Sequence, residues 1–168
     1  PWYEGERTPD IPNATPIYFG FSLHDFDKKT LARAIIEGHL LNLYNGFKSL
    51  PVIPKQIHLT GGLSQSPAWC QTIADIFGAK TTPIIGEGAA LGAAIHASWV
   101  WLNEAGENVE IDEVCNKFIS FNKNLMKTPR PEFQSTYDKQ KKLYQALSSR
   151  VQGLKGDNPF QLHSALKN

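Results

Sequence analysis

Ile57-His58-Leu59-Thr60-Gly61-Gly62-Leu63-Ser64-Gln65-Ser66-Pro67 reads as a short buried strand, a double glycine and then the capped start of a helix. Two glycines at a strand end let backbone N–H groups approach a phosphate with no Cβ in the way. A helix N-terminus just beyond adds unpaired donors and the positive end of a dipole. The next stretch, Gly86-Glu87-Gly88-Ala89-Ala90-Leu91-Gly92-Ala93-Ala94, gives a second helix one bare face, with room for a flat ring or another backbone. The combination points to a nucleotide site, while the spacing alone also suits a tight turn followed by a closely packed helix.

Outward from this stretch, the punctuation of the helices is clear. Ser66 is a good N-cap, Pro67 stands at the first helical position and Gly78 stops the helix just past Phe77, with Trp69, Cys70, Ile73 and Phe77 as its core face. Ala79 to Ile85 predicts a second strand, interrupted by Pro83, and a long helix follows from about Glu87 to Glu104, with Gly106 as its stop. Strand, helix, strand, helix in this order predicts βαβ units and an α/β layer architecture. Upstream, Lys28 to Leu50 carries two apolar stripes, Ile36, Leu40, Leu43, Phe47 and Leu50 on one side and Leu31, Ala34, Ile35, Gly38 and Leu41 on the other. Two apolar faces predict a helix buried between layers, capped by Asp27 or Thr30. Helices are also expected near Asp112 to Phe118 and from Phe133 to Val151, with Tyr137, Tyr144, Leu147 and Val151 sharing a face of the latter. Pro1, Pro9, Pro12 and Pro16 predict an extended opening loop, in which Glu6 beside Arg7 makes a local ion pair or a turn hydrogen bond. The polar stretch beyond Gly153 is expected to fray.

Composition narrows the function classes. The 168 residues are enough for one domain with a core, and 41% hydrophobic with 20% charged residues describes a water-soluble globular chain. A net charge of +1 argues against a nucleic-acid surface, and the Lys139, Lys141, Lys142 cluster reads as a solvated helix face. No apolar run reaches the length of a membrane span. Cys70 and Cys115 make no disulfide framework, which favours a reducing compartment. His24, His39, His58, His96 and His163 are scattered without ligand spacing, so no metal site of the chain's own is expected. No serine stands on a G-x-S-x-G elbow, which removes that hydrolase class.

Four segments in order then resemble one family: Gly5-Glu6-Arg7-Thr8-Pro9, Leu31-Ala32-Arg33-Ala34-Ile35-Ile36-Glu37-Gly38, Leu59-Thr60-Gly61-Gly62 and Glu87-Gly88-Ala89-Ala90-Leu91-Gly92-Ala93-Ala94. The chain resembles the C-terminal part of an FGGY-type carbohydrate kinase, most closely a xylulokinase, over roughly residues 1 to 151. The resemblance implies a partial actin-like, ribonuclease-H-like ATPase domain over residues 1–152, lacking its first strands, followed by a polar tail at 153–168. It implies ATP with Mg2+ as cofactors, a sugar substrate (D-xylulose, or ribulose, gluconate or glycerol), a cytoplasmic setting and the upstream part of the same kinase as partner, with a homodimer left open. On the same resemblance Gly62 and Leu63 lie against the phosphates and ribose, Gly61 supplies the tight turn and Glu87 caps the following helix. Ser66 stands where the family often has an asparagine that contacts the nucleotide, so serine is a departure. Phosphoryl transfer also needs a base for the acceptor hydroxyl. In the family that base is an aspartate upstream of these segments, and none of Asp10, Asp25, Asp27, Asp75, Asp112, Asp138 or Asp157 matches its setting. No catalytic residue is therefore expected here, and the chain alone is expected to be inactive; the competing reading is a non-catalytic nucleotide-binding or assembly module on the same scaffold.

Overall fold

The structure, a computed structural model, describes residues 4–7, 9–24, 26–86 and 88–166. In chain order the elements are α1 (Lys28–Phe47), β1 (Gln56–Leu59), α2 (Pro67–Phe77), β2 (Lys80–Pro83), α3 (Gly88–Glu104), α4 (Ile111–Phe118), α5 (Pro131–Val151) and α6 (Pro159–Ser164), with short 3-10 turns at Gly62–Gln65 and Lys123–Leu125. They fall into two compact units, one formed by Pro1–Pro54, Asp75–Gly78 and Pro129–Asn168, the other by Lys55–Ala74 and Ala79–Thr128. Among the described residues no helix is long and apolar enough to cross a membrane.

In the unit built on Lys55–Ala74 and Ala79–Thr128, β1 and β2 pair in parallel, Gln56 opposite Lys80 and Leu59 opposite Pro83. Parallel neighbours require a crossover, and α2 begins it, as the strand and helix order predicts. Pro83 ends β2, where its missing N–H removes little from the ladder, and its carbonyl accepts from the Asn122 amide at 2.8 Å. The other edge of β2 is closed by antiparallel bridges from Thr81 to Lys127 and from Ile84 to Phe121. Among the described residues the sheet has these two strands. β1 is accordingly not the fully buried strand its sequence suggests: Ile57 and Leu59 are half-buried, and Gln56 and His58 are exposed. Downstream, Trp99 Nε1 and Asn103 Nδ2 both donate to the Val109 carbonyl, at 2.8 and 3.0 Å, and Gly106 with φ +88° makes the stop the sequence predicts.

The other unit is helical. Asp27 caps α1, its carboxylate accepting from the amides of Lys29 and Thr30 while the Thr30 hydroxyl donates to it at 2.6 Å. That hydroxyl bond, with the two amides, holds the Asp27 carboxyl below its usual range. Helix α1 packs on α5 through polar ties centred on Tyr137 and Tyr144. Tyr137 donates to Glu37 Oε1 (2.9 Å), which also takes Arg33 Nε (2.6 Å), and Tyr144 donates to Asn42 Oδ1 (2.9 Å). Asn42 in turn donates to Glu6 Oε2 at 2.8 Å. The opening segment is thereby tied down rather than loosely extended: Glu6 and Ile11 form an antiparallel bridge, and Glu6 Oε1 accepts the Arg7 amide at 2.9 Å, a turn hydrogen bond.

Two expectations need correction. Helix α1 is not covered on both faces, because Leu40 and Leu41 are buried while Leu43 stands about half exposed, and the helix ends at Phe47, short of the half-exposed Leu50. Nor do the described residues beyond Gly153 fray. Asn158 caps α6 by accepting the Phe160 amide, Pro159 is fully buried, and Phe160 and His163 meet Phe19 edge-on at 5.3 and 5.5 Å. Apolar anchoring of a short helix outweighs the polar composition around it.

The tightest constraint of this unit is ionic. Asp75, only 1% exposed in the last turn of α2, accepts from the Arg130 amide (2.8 Å), Nε (3.0 Å) and the guanidinium terminus (2.7 Å). Arg130 also lies over the Phe133 ring, 4.2 Å from its centroid, at the residue that precedes Pro131, the first of α5. Removing the guanidinium from a buried carboxylate costs more than neutralising the carboxylate. Arg130→Ala should lower stability by about 3–5 kcal/mol and Asp75→Asn by about 1–3 kcal/mol, read from urea denaturation. The reverse order would mean that the carboxylate is not the strained partner.

Burial, then the charge of Glu37, pushes the Tyr137 phenol up to about 12 from 10.0. Burial, then Glu6, pushes Tyr144 up as well. A tyrosine neutral in both states at pH 7 gives no pH dependence there; above pH 10 only the unfolded chain ionises, so stability falls as pH rises from about 10 through 12. Phenolate absorbance from Tyr137 should therefore appear together with loss of helical circular dichroism, whereas phenolate formation in a chain that stays helical near pH 10 would contradict its buried hydrogen bond.

Candidate functional site: a glycine turn at the end of β1

β1 ends at Leu59, and the chain reverses at Gly61 with φ +83° and ψ 178°. That region of backbone space is open essentially to glycine alone. Gly62–Gln65 then form a 3-10 turn whose first internal bond runs from the Ser64 amide to the Gly61 carbonyl at 3.1 Å. The amides of Gly62 and Leu63 precede that bond, so the turn does not use them internally. A Cβ at Gly62 would meet nothing within 4 Å. Gly62 and Leu63 are exposed, Leu63 by 55%.

The two other expected residues differ in kind. Gly61 holds the turn, as its position predicts. Ser66 has the extended backbone of a cap (φ −92°, ψ 116°), its carbonyl accepts from the Cys70 amide at 3.0 Å, and it lies between the 3-10 turn and α2. The double glycine is thus followed by a 3-10 turn before the helix begins at Pro67. The serine that locks the turn is Ser64, which the sequence reading passed over. It is 3% exposed, and its hydroxyl donates to the Gly61 carbonyl at 2.7 Å. Its own carbonyl accepts from the Cys70 thiol at 3.2 Å. The signal available was spacing, a hydroxyl three residues after a glycine that must turn. Cys70 is fully buried, as its helix position predicts, and burial pushes its thiol up.

A second close approach lies beside the turn. The Gly88 amide donates to Thr60 Oγ1 at 3.2 Å, and a Cβ at Gly88 would stand 2.3 Å from that oxygen and 2.9 Å from Thr60 Cβ. Gly88 therefore lets the start of α3 meet the residue after β1. The rest of the small-residue stripe is not used for packing among the described residues: Ala89, Ala90, Gly92, Ala93 and Ala94 are exposed, and Ile95 is buried behind them. Glu87, expected to cap α3, lies outside the described residues. Gly88→Ala should cost about 1–3 kcal/mol by overpacking. Thr60→Gly in the same chain should recover part of that loss in urea denaturation; strictly additive effects would mean that the two residues do not collide.

Residues 1–101 match the C-terminal domain of the FGGY family of carbohydrate kinases. The xylulose kinase of Haemophilus influenzae is 31% identical over 147 residues, covering 83% of this chain and 29% of that protein. The gluconokinase of Bacillus licheniformis is likewise 31% identical, over 163 residues, covering 90% of this chain and 29% of that protein. The crystal structure of ligand-bound xylulose kinase from Lactobacillus acidophilus superposes with a TM-score of 0.77 at 26% identity, covering 90% of this chain and 30% of that one. The chain thus spans less than a third of the length of these relatives, and its α/β architecture is part of their actin-like, ribonuclease-H-like kinase fold. With 101 of 168 residues in the matched domain, the chain belongs to the FGGY family of carbohydrate kinases.

Proposed function

We infer that the chain supplies part of the ATP site of a sugar kinase that phosphorylates D-xylulose to xylulose 5-phosphate. The observation that carries this reading is the turn at Gly61 and Gly62, whose leading amides and open space suit a phosphate chain better than a side chain. In this reading Gly62 and Leu63 lie against the phosphates and ribose, Gly61 makes the reversal, and Ser66 chiefly begins α2. A Cβ at Gly62 would project into open space beside the leading amides. The described residues include no group of three His, Cys, Asp or Glu able to hold a metal ion. In this reading Mg2+ arrives with the nucleotide, where it neutralises phosphate charge.

The base that accepts the sugar hydroxyl proton, the first phosphate-binding loop and most sugar contacts are assigned to the upstream part of the kinase. The chain alone is therefore inactive in this reading, and it works in the cytoplasm. Xylulose is favoured by the Gly5-Glu6-Arg7-Thr8-Pro9 segment and by the xylulose kinase relative. The gluconokinase, equal in identity, favours gluconate as a second reading.

Calorimetric titration of Mg-ATP into the chain, alone and mixed with the upstream part, tests the assignment. Binding that needs both parts, with xylulose turned over faster than gluconate, is expected; faster gluconate turnover would transfer the acceptor assignment, and no turnover of either would favour the assembly module. Within the active mixture Gly62→Val should abolish Mg-ATP binding while the thermal midpoint stays put, and unchanged affinity would refute the turn as the phosphate site. Ser66→Ala should change stability by less than about 0.5 kcal/mol, because its cap position is held by backbone bonds and no hydrogen bond from the described residues reaches its hydroxyl, with nucleotide affinity retained; a loss of affinity would make Ser66 a ligand contact.

A further inference from the structure

Between α1 and α5 lies a pocket of about 300 Å3 whose lining includes Lys48, Lys141, Lys142, Asn45 and Tyr44. Lys141 and Lys142 come from α5 and Lys48 is the residue just past α1, and two of the three make side-chain contacts. Lys48 Nζ donates to Gln145 Oε1 at 3.1 Å, and Lys141 Nζ stands 4.5 Å from the Tyr44 ring centroid while donating to Asp138 Oδ1 at 3.1 Å. Asp138, the carboxylate in the same lining, takes Gln134 Nε2 at 3.0 Å on that same Oδ1, so one of its two oxygens is engaged by two protein donors. Three ammonium groups against one carboxylate leave two positive charges in excess, in a chain whose net charge is only +1. Lys139, on the same helix, is not part of the lining.

We propose that this pocket between α1 and α5 binds a small phosphate-bearing molecule, held by Lys48, Lys141 and Lys142. Lysine is a compact multi-donor charge suited to phosphate oxygens, and ammonium groups already fixed by Gln145 and Tyr44 lose little freedom on binding. The volume is that of a small ligand site. Lining drawn from α5 and from the end of α1 distinguishes this pocket from a one-sided solvated helix face. It shares no lining residue with the Gly61–Ser66 turn, and it stands whether or not the kinase reading does.

Inorganic pyrophosphate titrated calorimetrically into the full chain, without ATP or sugar, is the test. Saturable one-to-one binding is expected. The double variant Lys48→Gln, Lys142→Gln should weaken it by about five-fold per lysine, the loss of one exposed charged contact each, with an unchanged thermal midpoint. Lys139→Gln should leave the affinity as it is. The proposal is overturned by absence of saturation up to ~10 mM, by equal weakening in Lys139→Gln, or by binding that survives the double variant and disappears in Gly62→Val.

Discussion

A carboxylate removed from water is tolerable only where donors replace the hydration it has lost, and Asp75 takes three from one residue. Because one of the three is the Arg130 main-chain amide, the bond fixes backbone as well as side chain: it sets where α5 begins relative to the last turn of α2. The aromatic contacts around that turn depend on the placement. Phe77 receives Tyr44 and Phe47 edge-on at 5.3 and 5.7 Å, which seats the end of α1. With α1 and α5 so held, the Glu37–Tyr137 and Asn42–Tyr144 bonds form between facing side chains, and Glu6 draws the opening segment onto α1. The helical unit is thus organised around one buried charge.

The other unit relies on the main chain. Gly61 takes a conformation denied to other residues, Ser64 closes the loop on itself, and Thr60 binds the first amide of α3. No charged side chain takes part in these bonds. Such a turn presents amides and space, which is the form of recognition that a polyphosphate calls for.

Elements with strong periodicity and explicit punctuation were legible in the sequence. Ser66-Pro67 and Gly78 bracket α2, and Gly106 ends α3, because capping and positive φ are local requirements. The position of the glycine turn was legible for the same reason. What escaped depends on partners distant in sequence. Asp75 reads as an ordinary helix polar residue until Arg130, 55 residues on, is beside it. Pro159 and Phe160 look like a polar tail until Phe19 packs there. Ser66 reads as the cap and Ser64 as an ordinary turn residue, and only the fold of the turn shows that Ser64 is the buried one and Ser66 the half-buried one. The exposure of Leu43 and Leu50 was hidden from periodicity, which reports an apolar face without saying what covers it.

The Cys70 thiol adds a property of a different sort. It lies at zero exposure directly behind the glycine turn, bonded to the Ser64 carbonyl, with its thiolate disfavoured by burial. Alkylating reagents attack thiolates and need access, so they meet this sulfur only in the moments when the turn and α2 part. The rate at which Cys70 is labelled is therefore a clock for the opening of that turn, built in by the same packing that keeps it closed.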